Sequence, residues 1–371
     1  MRFCTILLLI ISCYTISAQE YFTYSSNSSL GIVTYHAKIV NNDTIKDGLY
    51  WVVDNGDTIQ RGTYNNNMLH GIIYTYYRDG ELKSTHTYCN NTLEGDFFLY
   101  SERGDMLQHG CYSNNQLEGT LELFDRGILT DRLEYKSGKL NGTCRKYFTS
   151  GIVMQEQDYI DNTPNGTYKY YYEKGELNYI GEKDSLGYKG KLIALYPNGD
   201  TLRITNYQNG KLNGQMIVFH ENNILKIKAN YTNNRCNGMY TEYFSNGKIA
   251  ESGYYANDKR YGEWIAYYPD GTIFSKGSFE NGLLNGLWII YHNNGQPKQI
   301  GNYYNGKATG LWKYFHTNGN ISKYGHYCND KEFGTWVIFT EDSNIEGILL
   351  YNNGKASMGA SIIDGTLTYI R

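Results

Sequence analysis

The chain has 371 residues, including 39 tyrosines, 41 glycines and only 4 prolines, and its aromatic content of 15% excludes a disordered protein. The net charge is −3, and lysine and arginine are scattered singly, which excludes the basic surface by which proteins bind nucleic acid or anionic membranes. Aromatic residues fit the pleated surface of strands, and glycine and asparagine allow the positive φ of tight turns. The composition therefore favours an all-β protein with many turns.

The first 18 residues have the layout of a secretory signal peptide. Arg2 precedes an apolar run from Phe3 to Ile11, and Ile16-Ser17-Ala18 then offers a small residue for cleavage. The run is too short to span a bilayer. We expect cleavage after Ala18 and a mature protein without a transmembrane segment, either secreted or in the periplasm and cell envelope. The alternatives are a lipoprotein signal, with Cys13 as the acylated residue, or a buried N-terminal strand.

The remainder of the sequence repeats itself with a period of 24 residues, shortened to 23 in two intervals. A second turn residue, nearly always glycine, follows the opening glycine by eight or nine places, and an aromatic residue usually follows it by sixteen or seventeen. This pattern predicts about 13 tandem repeats over residues 48–358, with residues 19–47 and 359–371 as caps. The opening glycines are at positions 48, 71, 95, 119, 142, 166, 190, 214, 238, 262, 286, 310 and 334.

Each repeat is predicted to be a β-hairpin. After Gly286, the stretch Leu287 to His292 is rich in β-formers, a turn ends at Gly295, Ile300 to Tyr304 returns, and Asn305-Gly306 turns the chain again. Asn-Gly between apolar runs is a strong hairpin signal. The sequence thus predicts an elongated, twisted antiparallel meander sheet of about 26 short strands, roughly 125 Å long at about 4.8 Å per strand.

Glycine in the returning strand leaves room for a large neighbour. Gly253, Gly277, Gly301 and Gly325 lie two residues before the recurring aromatic residue, and Trp264, Trp288, Trp312 and Trp336 are the candidates to cover them. Each Trp is followed three residues later by another aromatic residue, such as Tyr291 after Trp288. Either a bulge in the first strand places both on one face, which we favour, or both faces are partly aromatic.

Two consecutive stretches resemble a known repeat family. They are Ser278-Phe279-Glu280-Asn281-Gly282-Leu283-Leu284-Asn285-Gly286-Leu287-Trp288 and Asn302-Tyr303-Tyr304-Asn305-Gly306-Lys307-Ala308-Thr309-Gly310-Leu311-Trp312. Both are similar to MORN repeats, and more closely to the variant whose bacterial members are often called YwqK-family antitoxins. The resemblance covers about residues 48 to 355. It implies a hairpin-repeat scaffold that contacts proteins or lipids.

Two features of the sequence conflict with the family that it resembles. Units that open at Gly119, Gly166 and Gly190 are degenerate, with Lys183 in the aromatic position and Thr205 where glycine is expected, so we expect them to bend or interrupt the sheet. An antitoxin must also stay in the cytoplasm to neutralise its toxin, which conflicts with a secretory signal. We therefore carry over the fold and not the antitoxin activity.

The sequence contains no motif for catalysis, metal binding or a cofactor, and we expect a protein that is not an enzyme and needs no cofactor. His220, His292 and His316 share one position in successive units, but neighbouring units should be about 10 Å apart, too far for one metal ion. We interpret them as exposed residues at strand ends. Five cysteines remain after signal cleavage, and we predict mostly free, half-buried thiols, because successive units hold Cys89 and Cys111 too far apart to bridge.

The preferred function is a non-catalytic scaffold outside the cytoplasm, which binds a protein or cell-envelope partner along an extended β face. Trp264, Trp288, Trp312 and Trp336 recur in phase and are the candidate partner-binding residues, although packing within the repeat core is the explanation that we favour for them. Two alternatives stay open. One is an antitoxin-like or enzyme-accessory inhibitor, and the other is a structural spacer whose length is its function.

Overall fold

The structure, a computed structural model, describes residues 20–363 and 366–370. The side chains of residues 357, 358, 362, 363 and 366–370 are not described. The predicted signal peptide and the alternative acylation site at Cys13 lie outside these residues. Throughout the described residues, every regular element is a β-strand.

The chain divides into two compact units, and the first covers Met1–Gly151. Its strands are β1 (Tyr21–Ser28), β2 (Gly31–Val40), β3 (Asp43–Asp54), β4 (Asp57–Asn65), β5 (Met68–Leu69), β6 (Gly71–Tyr76), β7 (Leu82–Cys89), β8 (Thr92–Tyr100), β9 (Met106–Ser113), β10 (Gln116–Leu117), β11 (Gly119–Asp125), β12 (Ile128–Lys136), β13 (Lys139–Leu140) and β14 (Gly142–Tyr147).

The second unit covers Ile152–Arg371. Its strands are β15 (Val153–Ile160), β16 (Thr163–Tyr171), β17 (Leu177–Asp184), β18 (Gly187–Leu195), β19 (Thr201–Gln208), β20 (Lys211–Leu212), β21 (Gly214–Phe219), β22 (Leu225–Thr232), β23 (Arg235–Tyr243), β24 (Ile249–Ala256), β25 (Lys259–Tyr267), β26 (Ile273–Glu280), β27 (Leu283–Tyr291), β28 (Pro297–Tyr304), β29 (Lys307–Phe315), β30 (Ile321–Cys328), β31 (Lys331–Phe339), β32 (Ile345–Asn352), β33 (Lys355–Ile363) and β34 (Thr366–Ile370).

Within each unit the strands follow one another as antiparallel hairpins. For example, β27 pairs with β26 on one side and with β28 on the other, as expected of a meander. The short strands β5, β10, β13 and β20 are each separated by one residue from the next strand and extend it. The prediction of an all-β antiparallel meander built from tandem hairpins is therefore confirmed. In the first unit, β1 and β2 add one more hairpin before β3.

The two-residue turns follow the predicted chemistry. Asn305 and Gly306 have φ values of 48° and 78°, and most equivalent turns also have positive φ at both residues. This is the type I′ geometry, whose twist matches that of the flanking strands. The Asn-Gly turns predicted from the sequence are thus confirmed.

The opening glycine lies inside a strand rather than at a turn. Gly286 has a φ of 87°, and Asn285, Gly286 and Leu287 together stand opposite the single residue Ser278. This is a β-bulge, and its left-handed backbone favours glycine. The first strand of the repeat therefore begins at Leu283, before the bulge, and not at Leu287 as predicted.

Glycines of the returning strands lie beneath tryptophans of the next repeat. A Cβ atom added to Gly301 would lie 2.0 Å from Cδ2 of Trp312, and one added to Gly325 would lie 2.2 Å from Cδ2 of Trp336. The Trp312 ring also makes edge contacts with Tyr303 at 5.1 Å and Tyr327 at 5.6 Å. The predicted covering of glycine by tryptophan is confirmed, and it links each repeat to the next.

The degenerate repeats keep this packing with other residues. Lys183 replaces the recurring aromatic residue, and its Nζ lies 3.5 Å from the ring centroid of Tyr168 and 4.7 Å from that of Tyr188. The buried Thr205 donates its hydroxyl to the carbonyl of Leu192 at 3.2 Å. Strands β16 to β19 pair without a break, so the expectation that these units interrupt the sheet is wrong.

Both faces of the sheet are partly aromatic. Trp312 stacks on Tyr314 two residues later, at 6.2 Å, whereas Phe339 stacks on Tyr324 at 5.8 Å, on the opposite face. The favoured bulge between the tryptophan and the next aromatic residue is therefore wrong. The bulge of the first strand precedes the tryptophan, so the two aromatic residues follow normal alternation.

Side chains at the longer turns also join neighbouring repeats. His316 Nε2 lies 3.0 Å from the carbonyl oxygen of Phe339, and His292 Nε2 lies 3.1 Å from that of Phe315. A carbonyl only accepts, so Nε2 carries the proton. The Tyr268 hydroxyl donates to Tyr291 in the same way at 2.9 Å. These histidines are half-buried inter-repeat links, and the prediction that they are exposed is wrong.

Cys89, Cys111, Cys236 and Cys328 are free thiols within the described residues, as predicted, but only Cys111 is half-buried, so the predicted half-burial is wrong for the other cysteines. Cys89 and Cys328 are exposed, Cys111 is half-buried, and Cys144 and Cys236 are buried. Burial, together with the nearby Asp258 carboxylate, raises the pKa of the Cys236 thiol to about 11. Cys236 is therefore a neutral core residue at physiological pH.

We expect Gly301→Ala to destabilise the protein by about 1–3 kcal/mol, because the new methyl group collides with Trp312. The natural pair Ala229 and Tyr240, directly opposed in β22 and β23, supplies the compensating change. The double variant Gly301→Ala with Trp312→Tyr should lose less than the sum of the two single losses. Chemical denaturation of all four proteins measures this, and strict additivity would contradict the packing.

The His316 link should contribute about 0.5–1.5 kcal/mol, the usual net value of one hydrogen bond. We expect His316→Ala to lower the denaturation midpoint accordingly. His316→Tyr should retain it, because Tyr268 makes the equivalent bond in another repeat. Equal losses in both variants would show that the bond does not stabilise the fold.

Candidate interaction surface

The four predicted tryptophans lie on the packed face of the sheet. Trp264, Trp312 and Trp336 are each only 2% exposed, and Trp288 is half-buried. The Trp264 indole nitrogen donates to the carbonyl of Tyr254 at 3.1 Å. The structure thus places three of the four in the repeat core, where their rings cannot contact a partner directly.

The opposite face of the second unit is crossed by a line of apolar residues in direct register. Ile289 is paired with Ile300 across β27 and β28, and Tyr324 with Val337 across β30 and β31. Directly opposed residues project from the same face and contact one another. We call this set the apolar line. It consists of Ile180, Ile193, Ile204, Ile217, Ile265, Ile289, Ile300, Tyr324, Val337 and Ile348.

Exposed apolar residues flank this line on the same face. Leu311 is paired with His326, which is paired in turn with Phe333, so the three share one row across the sheet. Their neighbours in the row include Tyr254, directly opposite Tyr261. Seven members are between 41% and 57% exposed: Met239, Tyr254, Tyr261, Leu287, Leu311, Phe333 and Leu350. Exposed apolar side chains that recur along one face in this way are typical of an interaction site.

Polar residues interrupt the apolar line at five positions, namely Lys228, Thr241, Ser252, Lys276 and Lys313. Lys228, Lys276 and Lys313 all lie in it, each directly opposite an isoleucine. Lys276 forms an ion pair with Glu263 at 3.0 Å, and both side chains are exposed. Glu263 thus neutralises Lys276, and Lys228 and Lys313 supply the positive charges of this surface, which suits a partner that presents apolar and acidic side chains.

The corresponding line in the first unit has different chemistry. Trp51, Arg61 and Tyr74 are directly opposed across β3, β4 and β6. The Arg61 guanidinium lies 4.8 Å from the ring centroid of Tyr74 and 5.6 Å from that of Tyr76. An open cavity of about 530 Å³ lies beside them.

Farther along the first unit, ion pairs occupy the line. Arg132 donates from Nη2 to Glu122 Oε1 at 2.5 Å, and His109 Nδ1 lies 3.6 Å from the other Glu122 oxygen. The hydrogen bond from Arg132 lowers the pKa of Glu122 below its ordinary value. Because these charges satisfy one another, this segment offers a polar surface without an unpaired carboxylate at Glu122.

The described part of the chain holds no cluster of side chains suited to a metal ion. Nor does it include a helix long and apolar enough to cross a membrane.

The apolar line and Trp51 were not predicted from the sequence. Trp51 follows its opening glycine by three residues, whereas Trp264, Trp288, Trp312 and Trp336 follow theirs by two. In an alternating strand this shift of one residue places Trp51 on the opposite face. That difference in spacing was the available signal.

Comparisons with solved structures give only remote likenesses. A mutant Tc holotoxin pore from Photorhabdus luminescens is 12% identical, with 91% of this chain aligned to 23% of that one and a TM-score of 0.13. A porin-like protein from Bacteroides uniformis is 10% identical, with coverages of 71% and 92% and a TM-score of 0.15. At such scores neither likeness bears on the fold or function of this chain.

No curated protein matches the sequence significantly. A family model described as MORN repeat variant, however, matches six segments: residues 69–90, 212–233, 237–257, 260–281, 284–305 and 308–329. Five of these lie in the second unit and cover five of the ten strands that contribute a residue to the apolar line. Each match coincides with one hairpin and its inter-repeat contacts, and the chain belongs to the MORN-repeat family.

Proposed function

We propose that the protein is a non-catalytic scaffold outside the cytoplasm, which binds a protein or another component of the cell envelope. Repeats of this family generally bind proteins or membranes. The secretory signal predicted for residues 1–18 motivates the location, and a mature N-terminus after Ala18, measured by mass spectrometry, is its test. An acylated Cys13 would instead indicate a lipid-anchored protein.

The observation that carries this proposal is the apolar line and its exposed flanking row. Trp264, Trp288, Trp312 and Trp336 pack against glycines and aromatic residues on one face of the sheet. The residues of the opposite face are therefore not required for that packing. Isoleucine at so many positions of a half-exposed line has no role in solubility, and it favours a partner that covers it. The partner-binding surface we propose is thus the apolar line, rather than the four tryptophans.

A protein is the partner that this surface fits best. Leucine, tyrosine and phenylalanine are exposed in one row, and lysines lie at intervals beside them. Aromatic and aliphatic anchors supply most of the binding energy in protein interfaces, and isolated charges select the partner. A structural spacer would need no such surface. An inhibitor of an enzyme or toxin is compatible with it only if that target is secreted as well.

We expect the triple variant Leu287→Ser, Leu311→Ser and Phe333→Ser to lose its partner. All three residues are exposed, so their effect on stability should be within about 0.5 kcal/mol each. Mature protein immobilised on beads, incubated with an envelope fraction and analysed by quantitative mass spectrometry, gives the measurement. Proteins that bind the apolar line should be enriched with the wild type and reduced at least tenfold with the variant.

A matched control removes the same kind of surface elsewhere. Ile128, Ile160 and Leu186 are exposed to a similar degree, and each lies beside or within a turn, outside the exposed row. Their replacement by serine should leave the captured proteins unchanged. Equal capture by all three proteins would show that the partner binds elsewhere than at the apolar line, and no capture above background would count against the scaffold and favour the spacer.

A further inference from the structure

The cavity of the first unit combines features that the proposed scaffold does not use. It has a volume of about 530 Å³, within the range of roughly 300–1,000 Å³ typical of small-molecule sites, and it is open to solvent. Strands β3, β4 and β6 and the turn after β6 form its walls. It lies in a unit separate from the apolar line.

An aromatic surface forms one side of the cavity. The Trp51 indole lines it, and the His36 ring packs against Trp51 in an edge contact at 5.8 Å. Tyr76 lines the cavity as well. Trp51 is only half-buried, although the tryptophans of the packed face are mostly buried. The indole ring thus remains accessible at the cavity wall.

Planar polar groups converge on the same space. Arg61 is exposed and makes no ion pair within the described residues, and its guanidinium is held beside the rings of Tyr74 and Tyr76. The Arg78 side chain is 82% exposed, and its Nη2 lies 3.5 Å from Asp54 Oδ2. The carboxylates of Asp57 and Asp79 also line the cavity. Fixed donors and acceptors are therefore both present.

The charges of the lining select the class of ligand. The lining holds two arginines and two aspartates, and Arg78 is already paired with Asp54, so an anion would meet the carboxylates of Asp57 and Asp79 and a cation the guanidinium of Arg61. A neutral molecule with many hydroxyl groups avoids electrostatic repulsion from both the carboxylates and the guanidinium groups. Carboxylates accept hydrogen bonds from hydroxyl pairs, and guanidinium groups donate to them.

The aromatic side of the cavity restricts the class of neutral ligand further. The face of an indole ring is electronegative and attracts weakly positive C–H groups, and a pyranose ring presents several of these on one side. We propose that this cavity binds a neutral saccharide, with Trp51 stacked on a sugar ring and with Arg61, Asp57 and Asp79 bonded to its hydroxyl groups. The open shape suits the end of a longer glycan chain.

The test is direct titration of the full mature protein with defined oligosaccharides. The neutral probes are maltohexaose, cellohexaose, chitohexaose and mannohexaose, and hexagalacturonate is the charged comparator. We expect at least one neutral probe to bind by calorimetry with a Kd of about 1 mM or tighter, independently of salt. Trp51 and Trp288 are the two half-buried tryptophans, so a change of tryptophan fluorescence that accompanies binding and is absent from Trp51→Ala comes from Trp51.

Two variants assign the site. Trp51→Ala should weaken binding at least tenfold, and Arg61→Ala, which changes an exposed side chain, serves if the first variant is unstable. Phe98→Ala is the matched control, because Phe98 occupies the same line two repeats later, stacked on His109 at 4.4 Å, outside the cavity lining. It should bind as the wild type does.

Three results would overturn the proposal. The first is that no neutral probe binds. The second is that hexagalacturonate binds more tightly in a salt-dependent manner, which would assign the cavity to an anion. The third is that binding persists in both Trp51→Ala and Arg61→Ala. None of these results depends on the apolar line, so failure here is distinguishable from failure of the proposed scaffold.

Discussion

The fold depends on tryptophan side chains that lie over glycine residues of the neighbouring strand. Trp312 occupies the space that any side chain at Gly301 would fill, and the same arrangement joins Trp264 to Gly253 and Trp336 to Gly325. A single sheet has no second layer to bury its side chains. Contact between neighbouring strands must therefore replace a globular core, and each repeat is stabilised chiefly by its neighbours. This is why tryptophan can be buried here without a second sheet.

Aromatic packing stabilises one face of the sheet, so the side chains of the other face are free to be selected for function. The inter-repeat hydrogen bonds of His292, His316 and Tyr268 engage backbone carbonyls, so they fix neighbouring strands without specifying the side chains in between. The centre of each strand on the opposite face can consequently vary at little cost. In the second unit isoleucine is the most frequent residue there, and in the first unit the line holds tryptophan, arginine and paired charges.

The features predicted from the sequence are those set by local chemistry. The period, the Asn-Gly turns and the pairing of glycine with tryptophan all follow from residues close together in the chain. The assignment of aromatic residues to the two faces of the sheet does not follow from neighbouring residues, because it depends on where the strand bulges. The spacing of Trp288 and Tyr291 allowed two arrangements, and only the register of β26 with β27 shows that the bulge lies at Gly286, before the tryptophan. The apolar line escaped prediction for the same reason, since its members are about eleven to thirteen residues apart and meet only through pairing.

The degenerate repeats show how far the packed face tolerates change. Lys183 keeps its contact with Tyr168 and Tyr188 through its charge rather than through an aromatic ring, and Thr205 bonds the backbone where glycine would make room for a larger neighbour. Neither substitution breaks the pairing of β17 with β18 or of β18 with β19. The backbone geometry set by bulges and turns is thus more constant than the side chains that fill it. A scaffold with that property can carry two different surfaces on one repeated frame, an apolar one in the second unit and an aromatic, hydrogen-bonding one in the first.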